Sequence, residues 1–494
     1  MKQCASTLYN FNGGETCRSR YVQKIKMFFD IDILRKDETL ANNTSKRQIR
    51  GNNIIDSRFE IFFSDILRDI QHEQNVIQSV FVNQTSAMAM LIVRVFEQRV
   101  RGFIENVLNI EANNTSMYLQ TTQYAYNSTK KLLVEPLSHL GISGVDLNQL
   151  LNSVFYTYQE GYIQRERGHL ANLFDATFSE ECDRLTGLEK AFEYEEDGLN
   201  HEITQTFVQQ TENALARSYT LSPEGSLPEN IKSIFFLMLK YLFEDYITFV
   251  LEKYIKLPMV NDSRCFQAIS QLFRVILGIN QIVGQIQTLF QVHVLPHIQT
   301  SINVQSQCSD QLYFNISSLE NNINYGLENS LILMVQLVDK ALVDQKRTDY
   351  QNEMDDDTTT PTCNSVTKLI QSFYEIAKSC LQGKNLHIFV EELGLKLQVV
   401  FLNHFKKFKI GQGSGTLKLI KDLTEYRSTL KSFKSHKVDD AFEMLFEVSK
   451  LFLVGPDSFK DIIENGILAR VQKSDLIAFI KQRSDFKSIW LDNL

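Results

Sequence analysis

Apolar side chains recur along this chain at the three- and four-residue spacing of an α-helix, and very little interrupts them. Met88, Ile92, Phe96, Val100, Phe103 and Val107 make one such stripe, with Arg94, Glu97, Arg101 and Glu105 facing the other way. Proline inside a helix removes a hydrogen bond and clashes with the preceding turn, so seven prolines in 494 residues leave room for long helices. Sustained period-two alternation, the mark of a half-buried strand, is missing, and so is any fixed repeat of the solenoid kind. The expected fold is all-α: an elongated rod of consecutive antiparallel helical bundles, divided at 1–112, 113–221, 222–360 and 361–494.

Turn chemistry places the helices. Two strong ones are expected at Arg58–Ser79 and Met88–Ile110, after a polar, solvated loop from Ala41 to Asn53. Gly141 and Gly144 mark a turn, and Ser222–Glu229, with Pro223, Gly225 and Pro228, reads as a linker. Long periodic helices follow over Ile231–Ile255, Phe266–Val294 and Leu312–Val343. Lys346–Ser365, with Asp355, Asp356, Asp357 and Pro361, reads as a flexible loop or boundary, and Val366–Phe408 as two helices around Gly383. The last seventy residues are expected to form three helices. The first is Asp439–Val454, stopped by Gly455-Pro456, and the second is short, through Phe459 and Ile463 to Gly466. The third is capped by Ser474 and carries Leu476, Phe479, Ile480, Phe486, Ile489 and Trp490.

Charge and cysteine usage narrow the function. A net charge of −8 argues against a dedicated nucleic-acid binder. Seven scattered cysteines without a CxxC pair suit reduced thiols better than a disulfide frame or a zinc knuckle. Met1–Phe11 shows no signal peptide, and the apolar region Ile234–Ile255 is broken by five charges, so no transmembrane span is expected. The Asn-x-Ser/Thr triplets at Asn83, Asn114, Asn127 and Asn315 read as accidental, and the acidic run between Ser179 and Glu202 as a solvated face or loop.

No constellation reads as an active site. Gly411-Gln412-Gly413-Ser414-Gly415 lacks the preceding strand and the Gly-Lys-Ser/Thr of a phosphate cradle, and reads as a turn. His293 and His297 share the four-residue spacing of metal ligands, but Pro296 lies between them and no third ligand is local. The chain is read as a non-enzyme with no cofactor and no metal. One region is strongly basic: Lys406, Lys407, Lys409, Lys418, Lys421, Arg427, Lys431, Lys434 and Lys437 stand against Asp422 and Glu425, with Phe405, Phe408 and Phe433 interleaved. Attraction to anionic headgroups is worth roughly 1 kcal/mol per basic residue held at a membrane surface. These nine are the candidate contact for anionic lipid or a partner; lysines that merely solvate outer helix faces give the same pattern.

Several blocks carry a family resemblance. At the C-terminal end these are GSGTLKLIKDLTEYR (Gly413–Arg427), Phe442–Leu445, Leu451–Pro456, Ala478-Phe479 and Gln482–Ser488; further upstream they are FFSDILRDIQHEQNVIQSVF with VFEQRV, and NFNGGETC near the start. In these the chain resembles the family of exocyst component five, the Sec-ten subunit of the vesicle-tethering complex. The resemblance implies an all-helical, non-enzymatic subunit that helps hold secretory vesicles at the plasma membrane before fusion. It implies a cytoplasmic protein, peripheral at plasma membrane and vesicles. The implied partners are other exocyst subunits, notably the Sec-fifteen subunit, and small GTPases. The family's N-terminal coiled coil is expected to be missing, through a fragment or a late start, and one partner contact with it. The alternative is another helical tether or a lipid-surface adaptor.

Overall fold

A computed structural model describes residues 1–11, 13–50, 53–140, 144–191, 199–256, 264–351, 358–465, 467–470, 473–488 and 490. Gly141, Asp355, Asp356, Asp357, Gly466 and Ile489, all invoked above, lie outside the described residues, as do residues 192–198 of the acidic run. The described chain is helical, with one two-stranded sheet and one isolated bridge besides. Arg47–Arg50 and Asn53–Asp56 pair antiparallel, Gln48 against Ile55 and Ile49 against Ile54, where a solvated loop was expected. Four residues are too few to show alternation, which is why the hairpin escaped the sequence reading.

The chain folds as two compact units. The first comprises Met1–Cys182, Glu202–Leu242 and Ile286–Tyr313. Its core is built on the helix Ser57–Val80, whose Phe59, Phe62, Phe63, Ile66 and Ile70 are buried. They meet the stripe Met88, Ile92, Phe96, Val100, Phe103 and Val107, every member of which is buried. The rings of Phe62 and Phe103 stack at 3.9 Å. Burying each such ring contributes about 1.5–3 kcal/mol. Four-residue steps drift by about 40° each on a regular helix at 3.6 residues per turn. The π-helical turn Val95–Val100 takes up that drift and keeps the stripe on one face. Arg94 does not face away as expected: it donates to the Val22 carbonyl (2.7 Å) and lies over the Phe28 ring.

Two of the Asn-x-Ser/Thr triplets have a structural role. Asn83 and Asn114 are N-caps, accepting from the Ser86 and Met117 amides. Asp56 also caps a helix, and it forms a fully buried ion pair with Arg58 at 2.6 Å.

The second unit comprises Asp183–His201, Phe243–Gln285 and Phe314–Leu494. Its C-terminal part packs the helices Pro361–Cys380, Gly383–Phe405, Ser414–Leu430 and His436–Lys450 around Phe401, Tyr426 and Phe442. Gly394 makes one crossing close, since a β-carbon there would come within 2.6 Å of Val438. The final helix, Lys473–Ile480, is shorter than expected and has Ser474 inside its first turn, not at its cap. It stops because the backbone beyond it pairs elsewhere. Ile410 donates to the Gln482 carbonyl and accepts from the Ser484 amide, both at 2.9 Å. Trp490 is consequently half-buried, against Phe459, Phe486 and Arg483.

Among the described residues, one helical stretch, Cys265–Ile298, is long and apolar enough to cross a membrane, although the sequence reading expected none. Its polar positions are mostly uncharged, Gln and Asn above all, and Arg274 is the one Asp, Glu, Lys or Arg among its residues. Its Ile269, Leu272, Phe273, Ile276, Ile279 and Ile282 are buried as the core face of an amphipathic helix.

Candidate functional site

The nine basic residues do not form one cluster. Lys406, Lys407 and Lys409 follow the end of the helix Gly383–Phe405, whereas Lys437 binds Glu391, in its third turn, and Lys431 and Lys434 lie in the turn leading up to it. Ser435 and Lys437 bind the Glu391 carboxylate at 2.7 and 2.6 Å and hold it below the usual range. From Glu391 to Phe405 is about 21 Å of helix at 1.5 Å per residue. That exceeds the roughly 8 Å Debye length at physiological salt, so the two ends act independently on an outside charge. Lys418 and Lys421 stand on the first turns of the helix Ser414–Leu430, and Arg427 near its end.

Several of the nine are already engaged. Arg427 pairs with Glu443 and lies over the Phe446 ring. Lys406 sits over the Phe479 ring at 5.5 Å, and Lys409 donates to the Lys481 carbonyl at 2.9 Å. Lys407, Lys431 and Lys434 are exposed, with no carboxylate partner among the described residues. Lys434 adopts the left-handed conformation (φ 52°) that ends its turn.

Behind this surface lies a buried polar network that joins segments far apart in sequence. Asp422 accepts from the Thr360 amide (2.9 Å), the Thr360 hydroxyl (2.7 Å) and the Tyr350 hydroxyl (2.8 Å). Burial pushes its carboxyl above the ordinary range, against the opposing effect of those hydrogen bonds. Gln345 donates to the Tyr350 hydroxyl at 2.7 Å, which turns its carbonyl oxygen toward Nε2 of His404 at 2.6 Å. His404 therefore carries its proton on Nε2, and its buried Nδ1 has no partner among the described residues. Burial, reinforced by the charge of Lys407, holds this imidazole down at about 4. Both oxygens of Asp422 are occupied and the residue is fully buried, so the network fastens segments together and has no room for substrate.

The glycine-rich loop belongs to the same structure. Its Gly411 amide donates to the Tyr350 carbonyl at 2.8 Å, and a β-carbon on Gly415 would overlap that same oxygen. Gly413 adopts φ 74°, which favours glycine. The glycines thus let two backbones approach. Tyr350 and Thr360, in the segment expected to be a flexible loop, are fully buried.

His293 and His297 have no third ligand grouped with them among the described residues. The Tyr219 hydroxyl donates to the His293 carbonyl, while the His297 ring stacks on Tyr219 at 3.8 Å. Among the described residues, no three His, Cys, Asp or Glu side chains group to hold a metal ion.

Sequence reading missed Arg483. It is buried, donates to the Leu451 and Val454 carbonyls at 2.8 and 2.6 Å, and forks onto Asp485. Its guanidinium thus satisfies orphan carbonyls just past the helix His436–Lys450. The signal was the Arg-x-Asp spacing near the C-terminal end.

A family profile described as "Exocyst complex component Sec10-like, alpha-helical bundle" matches residues 1–181 and 176–494. The chain is 70% identical to Exocyst complex component 5 of Dictyostelium discoideum, over all of this chain and 51% of that relative. It is 26% identical to Exocyst complex component SEC10a of Arabidopsis thaliana, over 99% of this chain and 64% of the relative. The chain therefore spans half to two thirds of the length of these relatives. Among solved structures, Tip20, a Dsl1 complex subunit crystallised with the SNARE Sec20, superposes with a TM-score of 0.52 at 11% identity, covering 94% of this chain and 84% of that one. That likeness concerns the fold alone.

Proposed function

We propose, since this chain belongs to the exocyst component Sec10-like family of α-helical bundles, that it is a non-enzymatic part of an exocyst subunit that helps tether secretory vesicles before fusion. The observation that carries the reading is the 70% identity to the Dictyostelium exocyst component, which runs through the whole chain. In this reading it works in the cytoplasm, peripherally at plasma membrane and vesicles, bound to other exocyst subunits, notably the Sec-fifteen subunit, and subject to small GTPases. Packed helices offer long surfaces on which several weak contacts combine by multivalency. Affinity purification of the tagged chain from cells, with quantitative mass spectrometry, tests this. Other exocyst subunits are expected to be the leading co-purifying chains, and their absence would overturn the reading.

A second role at the same surface is contact with anionic lipid. It is favoured by the exposure of Lys407, Lys431 and Lys434 without carboxylate partners among the described residues. Flotation with phosphatidylserine liposomes is the test. Because the two ends of the basic stretch lie beyond a Debye length of each other, Lys407→Glu and the pair Lys431→Glu/Lys434→Glu should each reduce capture separately. Capture indifferent to both sets removes the lipid role.

A further inference from the structure

A groove of about 530 Å³ opens in the second unit between three helices, and its lining is of one sign. Along the helix Ile302–Val343 it is lined by Glu320, Ile323, Asn324, Leu327, Glu328 and Leu331. Those offsets of 0, 3, 4, 7, 8 and 11 residues are one continuous stripe, about 16 Å or three turns long. The helix Gly383–Phe405 supplies a second stripe, Asn385, Ile388, Phe389 and Glu392, at offsets of 0, 3, 4 and 7. Ile276 and Asn280 of the helix Cys265–Leu289 complete the wall.

The floor is apolar and partly open. Ile276, Leu331, Leu381 and Phe389 are buried, Ile323 and Leu327 are half-buried, and Ile388 is 51% exposed. A face of the long helix beside this stripe is committed to the core through Gly326, Ser330 and Met334. A β-carbon at Gly326 would stand 3.0 Å from Ile255, so the helix cannot roll to bury the stripe instead. Glu320, Glu328 and Glu392 are the only charged residues of the lining among the described residues, and all three are exposed. Glu392 has a surface pair with Lys396 at 3.5 Å, and Glu320 and Glu328 have no cationic partner among the described residues.

We propose that this groove is a docking site for a basic amphipathic helix of a partner protein. Two apolar stripes at helical spacing match the i, i+3, i+4, i+7 anchors that a third helix would lay between them. The three rim carboxylates select lysine or arginine beside those anchors and reject acidic helices and anionic membranes.

The test uses the full chain and a fluorescein-labelled twenty-residue peptide, with leucines at i, i+3, i+4 and i+7 and lysines beside them, read by anisotropy. Saturable binding is expected, weakening with salt. The set Glu320→Gln, Glu328→Gln and Glu392→Gln should weaken it tenfold or more, and Ile388→Ser should do so independently. The same peptide with glutamates for lysines should not bind. Glu15→Gln, Glu105→Gln and Glu160→Gln, exposed carboxylates of the other unit, should leave binding unchanged. These changes lie at exposed positions, and an unaltered melting curve confirms folding in each. The proposal is overturned by absence of saturable binding, by binding indifferent to the groove substitutions, or by equal loss in the control set.

Discussion

The buried imidazole of His404 makes the second unit sensitive to mild acid, and the size of the effect follows from its surroundings. The ring is 2% exposed, donates from Nε2 to Gln345, and has a bare Nδ1 with no acceptor among the described residues to receive a new N–H. Its folded-state value of about 4 lies below the ordinary 6.5 of the unfolded chain. As pH falls through 6.5, the unfolded ring takes up a proton that the folded ring refuses. Stability is therefore lost between pH 6.5 and about 4 and is fully present above that window. At 1.36 kcal/mol per pKa unit the loss reaches about 2 kcal/mol at pH 5 and about 3 kcal/mol when complete. His404→Gln keeps an N–H near the Nε2 position and cannot titrate, so it isolates this contribution from every other group. Trp490, the single tryptophan, sits in the same unit and reports its unfolding by urea. From pH 7 to pH 5 the natural chain should lose about 2 kcal/mol more than the variant. Parallel losses would refute the buried neutral imidazole.

Three further substitutions probe the packing that holds the C-terminal helices and the N-terminal core. Gly415→Ala drives a methyl into the Tyr350 carbonyl and should destabilise by about 3 kcal/mol or more, measured by urea unfolding. Arg483→Ala removes the donors to the Leu451 and Val454 carbonyls and should cost about 3 kcal/mol, with a red-shifted Trp490 emission. Asp56→Ala strands the guanidinium of Arg58 inside the first unit and should cost about 3–5 kcal/mol by thermal unfolding followed by circular dichroism. An unchanged melting point in any of these would contradict the corresponding contact.

Periodic features were legible in the sequence because burial and helical spacing are the same fact seen twice. Met88, Ile92, Phe96, Val100, Phe103 and Val107 could be assigned to the core from spacing alone, and all are buried. Long polar side chains were not legible in this way. Arg94 occupies a position that looks solvent-facing, yet its reach carries the guanidinium back over Phe28. Arg99, unremarked in the sequence, is buried and binds Asp37 and Asp69 from other helices. The end of the last helix was misjudged because what stops it is a pairing between Ile410 and residues 482–484. Nothing local to Ile480 records that pairing.

Charge along the chain was a poor guide to charge in space, for a geometric reason. A run of basic residues longer than one helix must turn a corner, and the corner separates its members. Lys407 and Lys434 are fewer than thirty positions apart, yet one follows the end of the helix Gly383–Phe405 and the other precedes Lys437, which binds Glu391 in that helix's third turn. The converse also holds. Glu320 and Glu392 are seventy-two positions apart and belong to no visible acidic run, yet they line one groove. In a protein made of long helices, the charges that act together are those on facing stripes of different helices. Recognition surfaces therefore form where tertiary packing leaves such stripes uncovered, and linear composition records neither their sign nor their extent.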